Sequence, residues 1–102
     1  MNVRKRLPQR RACETFTLPG NYKVTIGYYA DGLPGEVFID AEHAGSDMSA
    51  IARDAAVLLS LCLQYDVPLD VIAGALTREA SGAPSTVAGY VADRLAVLEL
   101  PF

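Results

Sequence analysis

Two alternating segments joined by Asp31-Gly32 constrain this chain more than anything else in it. Tyr22, Val24, Ile26 and Tyr28 alternate with Lys23, Thr25, Gly27 and Tyr29 up to Ala30. Period-two spacing of aromatic and β-branched side chains fits a half-buried strand. Asp31-Gly32 supplies the positive φ that a tight hairpin needs. Glu36 to Ala41 is the return strand, with Val37 and Ile39 on one face and Phe38 on the other. Pro34 cannot donate a ladder bond, so a bulged or widened hairpin end is expected at Leu33-Pro34-Gly35. Upstream, Ala12 to Leu18 also alternates, and Pro19-Gly20-Asn21 is turn chemistry. Three sequential strands with short connections predict an antiparallel meander.

The rest of the chain has helical spacing. His43 to Asp47 reads as a loop, with Ser46 as N-cap and Asp47 favouring the positive end of the helix dipole. A helix is predicted to about Tyr65, with Ile51, Ala55, Leu58, Leu59, Cys62 and Leu63 at the 3.6 period. Its apolar residues occupy more than one face, so it should be central or lie in a dimer interface. Pro68 suits the first position of a second helix carrying Leu69, Val71, Ile72, Ala75 and Leu76. Ser81-Gly82-Ala83-Pro84 breaks the chain. Ser85 or Thr86 then caps a third helix to about Leu98, with Val87, Tyr90, Val91, Leu95 and Leu98 as its stripe. The order is βββααα, an α+β domain with three helices on one face of a three-stranded antiparallel sheet.

With 102 residues there is room for one domain. Residues 1–11 read as a basic arm or linker and residues 12–102 as the domain. Arg4, Lys5, Arg6, Arg10 and Arg11 place five positive charges in the arm, while the remaining 91 residues hold all twelve acids and four bases, net −8. The arm is expected to fold back on the acidic body or to contact an anionic partner. No apolar run reaches the ~18–20 residues that cross a bilayer, and no apolar region follows the basic N-terminus. A cytoplasmic location is expected. Cys13 and Cys62 are then read as reduced, small buried hydrophobes.

Reactive constellations are sparse. His43 beside Glu42 could transfer a proton, but no nucleophile accompanies it. Neither CxxC nor HxxxH metal spacing occurs, and no glycine pattern fits a phosphate loop. No catalytic, cofactor or metal residue is assigned. Tyr22, Tyr28, Tyr29 and Phe38, on one sheet surface, would offer bases a stacking platform beside the arm. Nucleic-acid binding through the basic arm is therefore the alternative reading, opposed by the acidic body.

A set of segments resembles a known family. These are Arg4-Lys5-Arg6-Leu7-Pro8, the run from Gly27 to Ile39 containing Asp31-Gly32-Leu33-Pro34-Gly35-Glu36, Gly45-Ser46, and the run from Leu59 to Leu69 containing Gln64-Tyr65-Asp66-Val67-Pro68-Leu69. Together they are similar to the C-terminal region of vitamin B12-dependent (class II) ribonucleotide reductases, the TSCPD domain, which also occurs as a free-standing protein. The resemblance covers residues 4–98. Where the family's Thr-Ser-Cys-Pro-Asp would fall, this chain has Ser81-Gly82-Ala83-Pro84-Ser85, so no role of that cysteine carries over. The resemblance implies a link to deoxynucleotide synthesis. The reductase reaction itself needs a ten-stranded barrel, a radical cysteine, a cysteine pair and a cobalamin site, more than a chain of this length can house. The expectation is a stand-alone accessory or interaction domain, not itself catalytic and without cofactor. A ribonucleotide reductase or another nucleotide enzyme is the expected partner, and the chain is expected to be a homodimer.

Overall fold

The computed structural model describes residues 3–41 and 47–98. Six elements follow one another: β1 (Cys13–Leu18), β2 (Tyr22–Tyr28), β3 (Pro34–Ala41), α1 (Asp47–Gln64), α2 (Leu69–Ala75) and α3 (Val87–Leu98). The strands form one antiparallel sheet in the order β1-β2-β3. The expected α+β architecture is therefore present.

The first turn places Gly20 and Asn21 in the left-handed region, which both residue types tolerate. At the second, Gly32 alone has positive φ. The Asp31 carboxylate accepts from the Leu33 N–H at 3.0 Å, and the Tyr29 carbonyl accepts from the Gly32 N–H at 2.9 Å. Tyr28 pairs with Pro34 and Gly27 with Glu36, so Gly35 is the extra residue of the expected bulge. β2 is two residues shorter than its alternation suggested, because Tyr29 and Ala30 belong to the turn.

One sheet face carries Phe16, Leu18, Tyr22, Val24, Ile26, Val37 and Ile39 toward the helices, with Val24 and Ile26 fully buried. The other carries Thr15, Thr17, Lys23, Phe38 and Asp40. α1 packs chiefly on β3, and α2 on α3. The helical stripes are phased differently from the expectation. In α1 the sheet-facing residues are Ser49, Ala52, Ala56, Leu59 and Leu63, whereas Ile51 and Leu58 are exposed. Small residues face the sheet because α1 lies close against it, and bulk sits on the flank. Val71 and Tyr90 are likewise exposed, not core.

Helix ends explain several sequence features. Asp66 has φ 61°; its N–H donates to the Leu63 carbonyl and that of Val67 to the Cys62 carbonyl, a Schellman ending with aspartate where glycine is usual. Pro68, expected as the first helical residue of α2, is its N-cap, and the helix begins at Leu69. Thr86 caps α3, its hydroxyl accepting from the Gly89 N–H at 3.2 Å. The break at 81–84 is the tip of a small hairpin closed by an Arg78–Pro84 bridge. Ser46, the expected cap of α1, and the side chain of Leu98 lie outside the described residues.

Candidate functional site

The N-terminal segment lies against the body along a clasp built from the segments that carry the family resemblance. Gln64, at the end of α1, is its centre. Its carbonyl accepts from the Lys5 N–H at 2.7 Å, and its side-chain oxygen accepts from Arg4 Nε at 2.6 Å. Its Nε2 donates to the Gly35 carbonyl at 2.9 Å. The Tyr29 hydroxyl donates to the Lys5 carbonyl, and Lys5 Nζ sits 4.9 Å from the Tyr29 ring centroid and 3.7 Å from Asp66. Burial pushes the Tyr29 phenol above its ordinary pKa, with Lys5 opposing. A Cβ on Gly35 would meet the Tyr29 ring at 2.5 Å and Leu7 at 2.9 Å, so glycine is required for this close approach.

Further along the arm, Arg11 grips Glu36. Its NH2 donates to Oε1 at 3.1 Å and its Nε faces Oε2. The hydrogen bond with Glu36 raises the Arg11 pKa above its already high ordinary value. Glu36 is 6% exposed, and its side chain lies across Gly27, where a Cβ would fall 2.6 Å from Glu36 Cγ. Of the five arm cations, Arg4, Lys5 and Arg11 thus contact the body. Arg6 and Arg10 are exposed and have no ion pair among the described residues.

The aromatic residues do not share one surface. Tyr22 and Tyr28 face the helices, Phe38 the opposite side, and Tyr29 the arm. Cys13 is exposed on the helix-free face, contrary to the expectation of a buried thiol, while Cys62 is half-buried against the core. The sheet separates the two. Glu42 and His43 lie outside the described residues. Among the described residues, no three His, Cys, Asp or Glu side chains cluster as metal ligands, and no helix is long and apolar enough to cross a membrane.

Among the described residues, open surfaces lie on both sides of α1. A cleft of about 550 Å³ runs along the outer edge of β3, flanked by Arg4 and Arg53. Ser60 fills part of this edge: its hydroxyl accepts from the Val37 N–H at 2.8 Å and lies within reach of the Val37 and Ala56 carbonyls. A second, apolar groove of about 470 Å³ lies between the N-terminal halves of α1 and α3, beside the β1–β2 turn. Met48, Ile51, Ala55 and Tyr90 line it. Sequence periodicity assigned Ile51 and Tyr90 to the core; the available signal was that α1 holds more apolar residues than one face can bury. The role of Arg78 was also missed. It pairs with both carboxylate oxygens of Asp93 and donates to the Ala73 and Gly82 carbonyls, tying the 77–85 hairpin to α2 and α3.

The TSCPD domain family model matches residues 2–98. The chain is 39% identical over 80 residues to a vitamin B12-dependent ribonucleotide reductase of Bradyrhizobium diazoefficiens, covering 76% of this chain and 6% of that protein. It is 40% identical over 72 residues to that of Rhodopirellula baltica, covering 68% and 7%. With that of Streptantibioticus cattleyicolor it shares 34% identity over 115 residues, covering 98% and 19%. The chain therefore spans less than a fifth of the length of these curated relatives. No solved structure matches it. The residues of the clasp and the match along nearly the whole chain lead to one assignment: the chain belongs to the TSCPD domain family.

Proposed function

We propose that this TSCPD domain is a non-catalytic accessory or interaction module of deoxynucleotide synthesis, docking on a ribonucleotide reductase or another nucleotide enzyme. The observation that carries the reading is the match of residues 2–98 to a segment that occupies a small part of each reductase relative. The rest of each relative provides ample chain for the chemistry. Within this chain, Cys13 and Cys62 sit on opposite sides of the sheet, so they do not form the vicinal pair that reduction of a ribonucleotide consumes. The signature-equivalent segment contributes a structural hairpin: Pro84 packs on Gly89, and the Gly82 carbonyl accepts from Arg78.

Most polar contacts of the clasp hold arm, hairpin and α1 together, which suits a rigid docking body. Native co-purification tests the reading. Tagged chain at its natural abundance should enrich a reductase or another enzyme acting on nucleotides. Replicate experiments that recover no such enzyme contradict it.

A further inference from the structure

α1 carries two apolar seams of the same heptad spacing, offset by one residue. Ser49, Ala52, Ala56, Leu59 and Leu63 are buried against the sheet. Met48, Ile51, Ala55, Leu58 and Cys62 form the second seam, and in it Met48 is 63% exposed, Ile51 68% and Leu58 64%. Spacings of three and four residues repeated over four turns set such a stripe along one side of a helix, about 21 Å long. The seam continues into the apolar groove beside it, where Ala52, Ala55 and Ala88 leave room and Tyr90, 47% exposed, stands opposite. Small residues below and large apolar ones at the rim are what a helix laid in a groove requires.

Charge selects the occupant. At 100° per residue, Asp47 and Asp54 fall on the solvent flank of this seam, one heptad apart. Both are exposed and have no ion pair among the described residues. Arg53 falls on the opposite flank, in the β3 cleft. Of the arm's cations, Arg4 and Lys5 contact the far end of α1, at Gln64 and Asp66. We propose that the seam and groove receive an amphipathic helix of a partner protein whose apolar stripe is flanked by lysine or arginine. A second copy of this chain fits less well, because antiparallel pairing of two α1 helices sets Asp54 near the same aspartate of the other copy, and like charges at such positions oppose association. The inference rests on the accessory reading only for the existence of a partner.

The test is a titration of the full 102-residue chain with two synthetic 18-residue helical peptides. Both carry leucine at the a and d positions; one has lysine and the other glutamate at the flanking positions. The lysine peptide should bind roughly ten-fold more tightly than its twin, since the flank contributes attraction in one case and repulsion in the other. NMR shifts should centre on Met48, Ile51 and Leu58. Asp47→Lys with Asp54→Lys should reverse the preference. Ile51→Glu with Leu58→Glu should abolish binding of both peptides while Tm is held, because these side chains are exposed; Ile51→Gln with Leu58→Gln serves should the charged variant fail to fold. Equal binding of the two peptides, shifts elsewhere, or no binding overturns the proposal. So does a homodimer in light scattering that Ile51→Glu with Leu58→Glu dissociates. No reductase enters the titration, so its failure is distinct from a failed co-purification.

Discussion

Position 27 is glycine because the Glu36 side chain lies across it. The two residues are cross-strand partners, and the carboxylate must pass over β2 to reach Arg11. A methyl group at 27 would strike Glu36 Cγ, an atom held by the Arg11 contact rather than a free side-chain tip. Gly27→Ala is therefore expected to destabilise the fold by about 1–3 kcal/mol, the usual range for overpacking. In a Glu36→Ala background most of that loss should disappear, as a denaturant double-mutant cycle would report. Asp93 offers a pH-dependent case. Hydrogen bonds from Arg78 hold its carboxyl below the ordinary value of 3.8, with partial burial opposing. A depressed folded pKa gives stability that is present above the unfolded value and lost as pH falls through the folded one. Asp93→Asn should lower Tm modestly at pH 7, and the gap to the parent should close as pH is taken below 3.8. None of these pairings was legible in the sequence. Gly27 read as one more alternating position, and Arg78 received no assignment beyond its charge, because each partner is distant along the chain.

At the scale of elements, the hairpin and the helices were legible from period and punctuation. Val37 and Ile39 against Phe38 fell on the expected faces, since a period of two leaves little freedom once one face is buried. α1 was legible in extent but not in phase. It has apolar residues on both sides of its contact line, and periodicity alone cannot say which side meets the sheet. The edge of β3 shows how that contact is closed. Gln64 occupies the Gly35 carbonyl and Ser60 the Val37 amide, so α1 shields part of a strand edge that would otherwise invite pairing. Ser60→Ala removes the acceptor for a part-buried N–H. A loss of about 1–3 kcal/mol is expected, and faster exchange of the Val37 amide should accompany it. Unchanged exchange would show that another acceptor takes the place of the hydroxyl.

For the molecule as a whole, the arm is a strap. Its composition suggested two uses for Arg4, Lys5, Arg6, Arg10 and Arg11, folding back or reaching outward. Three of the five are seen folded back, while Arg6 and Arg10 are exposed. A solvated tail could be removed without effect. Deletion of residues 1–11 is instead expected to lower Tm by several degrees, because it removes the contacts of Arg4, Lys5 and Arg11 with Gln64, Asp66 and Glu36. This arrangement, a strapped sheet with an apolar helix flank left open, is what the proposed non-catalytic docking role rests on. The most direct test of that claim is a turnover assay. Purified chain is incubated with ribonucleoside di- and triphosphates, adenosylcobalamin and dithiothreitol, and the products are separated by chromatography. The account predicts no deoxyribonucleotide above the protein-free control. Sustained formation of deoxyribonucleotides over many turnovers would contradict it.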